Sequence, residues 1–168
     1  TLFSCKEEKI VGYTIAGKDV KEGMVYIWSS DDTRRELSSV MSNGSFSIFI
    51  TLNDATPLTL VLPDSKSIPL YAEPGIKATL QPDTLLKSGW CVKGGRTQAL
   101  HDSISRVLDA AEEKDKQKKI IEEFITKHPI SEVNVELFRR YLVDIPDPDN
   151  EYIRKTISKL GGALQSHL

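Results

Sequence analysis

The spacing of apolar residues changes once along the chain, at Gly94-Gly95, and this constrains the fold more than any other feature. Before that point, apolar and polar residues alternate in short runs, which is the period of a strand. After it, apolar residues recur three and four apart, which is the period of a helix. Tyr13-Thr14-Ile15-Ala16-Gly17 alternates and ends on glycine. After the turn Lys21-Glu22-Gly23 comes Met24-Val25-Tyr26-Ile27-Trp28, whose β-branched and aromatic residues suit a buried strand. Glu36 to Met41 is a weaker strand, followed by Ser42-Asn43-Gly44-Ser45, a tight turn of the Asn-Gly kind that favours hairpins, and Phe46-Ser47-Ile48-Phe49-Ile50. Leu58 to Leu62, Ile68 to Ala72, Ile76 to Leu80 and Gly89 to Gly95 complete the series, with Pro63-Asp64-Ser65 and Glu73-Pro74-Gly75 between them. Strands spaced roughly every 8–12 residues with turns between them predict an antiparallel sandwich or barrel. A parallel sheet would need intervening helices. Ile15, Val25, Ile27, Phe46, Ile48, Leu60 and Leu80 are expected to point inward.

Beyond Gly95, Leu100, Ile104, Val107, Leu108 and Ala111 follow helical spacing. Ile120, Ile121, Phe124 and Ile125 form a second stripe, ended by His128-Pro129. Ser131 is a candidate N-cap for a helix carrying Val135, Phe138, Tyr141 and Leu142. Asp147-Pro148 reads as an N-cap with a first-turn proline before Ile153, Ile157 and Leu160, and Gly161-Gly162 stops that helix. The predicted fold class is therefore mainly β plus α. It has a tether over 1–11, an antiparallel β-sandwich over 12–95 and a small bundle of short helices over 96–168.

Charge and cysteine usage narrow the function. Lysine plus arginine number 22 against 24 aspartates and glutamates. The parts on either side of Gly95 are each close to neutral, so a nucleic-acid partner, which would call for a basic face, is not expected. The two cysteines, Cys5 and Cys91, are too few for a disulfide scaffold and do not form a C-x-x-C pair. Leu2-Phe3-Ser4-Cys5 has the residue types of a lipoprotein signal end: an aliphatic residue three before the cysteine and a small residue directly before it. A signal peptidase needs the small residue, and the thiol of Cys5 would carry the lipid. Lys6-Glu7-Glu8-Lys9 would then be a polar tether. The alternative is an ordinary terminus that contains a cysteine.

No catalytic, cofactor-binding or metal-ligating residue is assigned, and the one modification site is Cys5, for lipidation. His101, His128 and His167 read as capping or surface residues, and no Ser-His-Asp constellation declares itself in the sequence. Asp144, Asp147 and Asp149 lack the glycine turn and distal glutamate of a calcium loop and read as helix-capping residues. Asp31-Asp32 is solvated turn chemistry. Lys114-Asp115-Lys116-Gln117-Lys118-Lys119 is expected to be a solvated face, with a membrane-surface role as the alternative. Trp28 and Trp90 read as core residues, and Cys91 as a buried strand residue.

Tyr13 to Gly17, Val25-Tyr26-Ile27, Asn43 to Ile48, Leu70 to Ile76 and Val92-Lys93-Gly94-Gly95 together resemble a β-domain of unknown function found in Bacteroidetes. In that family a helical stretch follows, and then a thioredoxin-like domain with a C-x-x-C pair. Phe124 to Pro129 with Ser131, Asp147-Pro148-Asp149 and Leu160 to Leu164 are similar to the helical stretch. The resemblance runs from Tyr13 onward and implies that Leu168 falls near the start of the linker to the redox domain, so the family's catalytic cysteines have no counterparts here. It implies a non-catalytic accessory or binding module, anchored in the cell envelope through Cys5, whose partners are the membrane and a thioredoxin-like domain in the same polypeptide. A second reading makes the chain the N-terminal piece of a thiol–disulfide oxidoreductase. A third makes it a stand-alone lipoprotein that binds carbohydrate or peptide.

Overall fold

A computed structural model describes residues 9–29 and 35–165. Cys5, Asp31-Asp32 and His167 lie outside the described residues, as does most of the expected tether. The chain divides into two compact units, Thr1–Gln81 with Val92–Gly95, and Pro82–Cys91 with Arg96–Leu168. A break after Gly95 is thus present, but residues 82–91 leave the expected β domain and join the helices. The reason is local. The turn over 83–89 is tied to the first helix by the Arg106–Asp83 ion pair and by the Lys87 amide, which donates to Asp109.

The first unit holds two antiparallel-rich sheets. Its strands are β1 (Gly12–Gly17), β2 (Met24–Ser29), β3 (Arg35–Ser39), β4 (Phe46–Thr51), β5 (Thr56–Val61), β6 (Ser67–Ala72), β7 (Lys77–Pro82) and β8 (Trp90–Lys93), of which Pro82, Trp90 and Cys91 group with the second unit. One sheet runs β4-β1-β7-β8 and the other β3-β2-β5-β6. Register aligns the apolar rows. Ile48 and Ala78 flank Ile15 in the first sheet, and Leu60 stands between Ile27 and Ile68 in the second. All seven residues expected to point inward are buried. Each large aliphatic side chain in such a row contributes about 1.5–3 kcal/mol by leaving water.

Two expectations about pairing are corrected. First, β1 pairs β7 in parallel, with Thr14 opposite Lys77 and Gly17 opposite Leu80, so the sheet is not wholly antiparallel. The long excursion through the other sheet between β1 and β7 supplies the crossover that a parallel pair requires. Second, the Asn-Gly turn does not close a hairpin, because β3 and β4 belong to different sheets. The turn itself forms: Gly44 has φ 79°, its amide donates to the Met41 carbonyl, and Asn43 Oδ1 accepts from the Ser45 amide. The surrounding backbone groups are used elsewhere. The Val40 amide donates to Gly23, and the Gly44 carbonyl accepts from Val20, so the β1–β2 connection holds the turn and no ladder continues through it.

The second unit contains α1 (Arg96–Ala110), α2 (Lys114–Lys127), α3 (Val133–Phe138), α4 (Asn150–Ile157) and α5 (Gly162–Gln165). A π-helical turn, Arg139–Val143, continues α3. In α2 the expected stripe is in place, with Ile121, Phe124 and Ile125 buried and Ile120 half-buried. Ser131 Oγ accepts from the Val133 amide, as a capping serine should. The cap of α4 is Asp149, which accepts from the Tyr152 amide, and not Asp147, which sits at φ 56°.

The first helix departs from expectation. Its buried face is Gln98, His101, Asp102, Ser105 and Leu108. Of the expected stripe, Leu108 and Ala111 are buried, Leu100 and Ile104 are half-buried, and Val107 is 51% exposed. Polar side chains have taken the place of apolar ones because they satisfy one another, as described next.

Candidate functional site

The polar face of α1 forms a hydrogen-bonded chain. Gln98, Asp102 and Ser105 lie one helical turn apart from their partners, with His101 beside Asp102. Gln98 Nε2 donates to Asp102 Oδ1 at 3.2 Å, and His101 Nδ1 meets the same oxygen at 2.8 Å. Ser105 Oγ lies 3.4 Å from His101 Nε2. With a neutral imidazole, Nδ1–H donates to the carboxylate and Nε2 accepts the serine hydroxyl, so this tautomer gives each ring nitrogen a partner. Corrected here is the reading of His101 as a surface or capping residue: it is 4% exposed.

The chain has the atoms of a nucleophile, a base and an orienting carboxylate, but its geometry is that of a structural network. Ser105 is 1% exposed and sits inside a helix, so its Oγ has no approach for a substrate carbonyl. Acyl transfer also needs donors aimed at a developing oxyanion, and the backbone amide of a mid-helix serine is committed to the helix. The sequence signal for this network is the spacing of Gln98, His101, Asp102 and Ser105, the i, i+3, i+4, i+7 pattern of one helical face, written in groups with matching donors and acceptors.

Two further ionic groups surround α1 within the helical unit. Arg106 grips Asp83 through Nε at 2.8 Å and Nη2 at 2.7 Å. Desolvation pushes the Asp83 carboxyl up, but hydrogen bonds from Arg106, the Leu85 amide and the Cys91 thiol outweigh it and hold the carboxyl below its ordinary range. Asp109 is the second centre. Its Oδ2 accepts from the Lys87 amide at 2.9 Å and Arg140 Nη2 at 3.5 Å, and its Oδ1 accepts from the Tyr141 hydroxyl. Burial and the Asp109 bond raise the Tyr141 hydroxyl well above its usual value. The π-helical turn places Arg140 and Tyr141 on Asp109 together. In that turn the Asp144 amide reaches back five residues to the Arg139 carbonyl. Glu136, on α3, is raised chiefly by burial, against the attraction of Arg139 and Arg140.

The remaining candidates resolve as follows. The Cys91 thiol is 4% exposed. His128 closes α2 through its amide and lies 4.8 Å from the Phe124 ring. Asp149 caps α4 and also pairs with Lys118 at 3.2 Å. Among the described residues no group of three or more His, Cys, Asp or Glu could hold a metal ion. The lysine run is not uniformly solvated. Lys114 donates to the Pro146 carbonyl, and Lys118 lies over the Tyr152 ring at 4.5 Å. Tyr152 is pushed up to about 12 by burial and by its bond to Glu122, against its hydrogen bond with Thr156. Trp28 and Trp90 are half-buried. No helix among the described residues is long and apolar enough to cross a membrane.

No protein family, curated protein or solved structure matches the chain.

Proposed function

We propose that this chain is a non-catalytic accessory module of a lipid-anchored cell-envelope protein, and that it forms the front part of a thioredoxin-like thiol–disulfide oxidoreductase. The observation that carries the reading is the setting of Cys91, the one cysteine among the described residues. Its thiol is buried and hydrogen-bonded to the Asp83 carboxylate. Thiol–disulfide exchange needs an accessible thiolate in an electropositive setting. A buried thiol that bonds to one member of the Asp83–Arg106 ion pair suits a packing role, and the reading assigns the exchange chemistry to a C-x-x-C pair elsewhere in the full polypeptide. The order of a two-sheet unit followed by helices also supports the reading, because the resemblance noted above expects that order.

The same reading takes the two sheets as an antiparallel-rich sandwich and the helices as a small bundle. β1 and β4 bury alternate residues, as does β7 up to Leu80, so each of these strands has one covered face. A sheet with one covered face is the kind that packs against a second layer.

The test is fractionation of cells expressing the full reading frame. Wild-type protein should sit in the membrane fraction, and the Cys5→Ala protein should be released in soluble, folded form. Acyl chains contribute roughly 0.8 kcal/mol per buried methylene, so losing them removes the anchor without touching the fold. A Cys5→Ala protein that stays with membranes sinks the reading.

A further inference from the structure

The first helix turns its polar side inward and leaves part of its apolar side in water, and something must compensate. Val107 is 51% exposed and Leu85 68% exposed, and both line a groove of about 470 Å³. Ala110 and the half-buried Ile120 continue the lining, and its two charged residues, Arg106 and Lys116, are both cationic. No carboxylate lines the groove. Arg106 is already paired with Asp83, whereas Lys116 makes no ion pair within the described residues. The groove therefore offers an apolar floor with one lysine, Lys116, free of an ion pair at its edge.

We propose that this groove docks an acidic amphipathic helix of a partner protein, with leucine or phenylalanine side chains set between Leu85, Val107 and Ile120 and a carboxylate on Lys116. Two physical arguments select that occupant. Lys116, the lining cation without an ion pair, calls for an anion beside an apolar surface. The shallowness of the groove favours a protein over a free aliphatic carboxylate. A small ligand normally buries about 70–90% of its surface, which walls as exposed as Leu85 and Val107 cannot provide, whereas a helix presents only one face. The proposal rests on the accessory-module reading in that it names the kind of partner such a module would hold.

The experiment uses the whole chain and two synthetic helical peptides, each with leucine and phenylalanine at i, i+3 and i+4. One carries glutamates on the flanks and the other lysines. Fluorescence anisotropy at low salt should give the acidic peptide roughly tenfold tighter binding or better, a preference that salt erodes. Backbone amide shifts on adding the acidic peptide should cluster at Leu85, Val107, Ala110, Lys116 and Ile120. Lys116→Glu should remove the charge preference, and Val107→Glu should abolish binding of the acidic peptide. Both positions are exposed, so circular dichroism and the unfolding midpoint should stay unchanged. No binding by the acidic peptide, equal binding of both, or shifts elsewhere on the chain would overturn the proposal. So would saturable laurate binding that displaces the peptide, because it would make the groove a lipid site. The Cys5→Ala fractionation is independent of all these outcomes, so failure of the groove and failure of the envelope reading are told apart.

Discussion

Asp109 gathers three donors on one buried carboxylate, so replacing it tests the account of the helical unit. Its side chain is 1% exposed, and it accepts from the Tyr141 hydroxyl, the Lys87 amide and Arg140. In Asp109→Ala these donors fare differently. Lys87 is exposed and Arg140 is partly exposed, so water replaces the carboxylate at little cost. Tyr141 is buried, and its hydroxyl loses a charged acceptor, an interaction of about 1.5–3 kcal/mol. Removing the carboxylate also relieves its own desolvation, which offsets part of that loss. The net expectation is about 2 kcal/mol of destabilisation, against about 1 kcal/mol for Tyr141→Phe, which leaves the carboxylate with its other donors. Because the two groups share one bond, the double variant should cost less than the sum, with a coupling of about 1 kcal/mol. The assay is urea unfolding followed by Trp90 fluorescence in a Trp28→Phe background, since Trp90 lies in the segment that belongs to the helical unit. A cost for Asp109→Ala below about 0.5 kcal/mol, the range of an ordinary surface change, would refute the reasoning. Strict additivity with Tyr141→Phe would refute it too.

Two other outcomes follow from the same structure. The Asp83 carboxyl lies below its unfolded value of 3.8, so its contribution is present above that pH and is lost as the pH falls through the lower folded value. Glu136 is raised and runs the opposite way near its ordinary value, so the quantity to read is the difference in unfolding midpoint between wild type and Asp83→Asn, in which Glu136 cancels. That difference should shrink on acidification below 3.8, and a difference independent of pH contradicts the ion pair. In β1, a Cβ at Gly12 would come within 2.4 Å of Phe49 Cζ and 2.5 Å of the Ile50 carbonyl oxygen. Gly12→Ala should therefore cost about 1–3 kcal/mol, and adding Phe49→Ala should recover only part of it, because the carbonyl is backbone; a neutral Gly12→Ala would show that the strand yields.

The strands were legible because each carries its own punctuation. Alternation picks out a face without reference to any other strand, and every inward residue it named, from Ile15 to Leu80, is buried. Pairing was less legible, because it depends on which backbone groups find each other across the chain. Asn43-Gly44 announces a tight turn correctly, yet nothing local reveals that Val20 and Gly23 will claim the groups beside it. The parallel partnership of β1 and β7 is likewise set by residues more than sixty positions apart, and the alternation is the same for parallel and antiparallel neighbours. The cap of α4 was misplaced by two residues because Asp147 and Asp149 carry the same chemistry, and only backbone conformation separates them.

The first helix shows where reading by hydropathy fails for a physical reason. An apolar stripe at 100, 104, 107, 108 and 111 is a statement about transfer from water, and it makes the polar side of the helix appear to belong outside. Burial of a polar side chain is costly only while its groups lack partners. On α1 the partners are built into the same helix: Gln98 reaches Asp102 four residues on, Ser105 reaches back four to His101, and His101 bonds Asp102 beside it. A face that supplies its own hydrogen bonds can be buried at modest cost. Val107, which points away from that face, lies partly in water, where an apolar surface can recognise a partner. The chemistry that hides His101 thus lies in complementary polar residues at helical spacing, which a reading of isolated histidines or acids passes over.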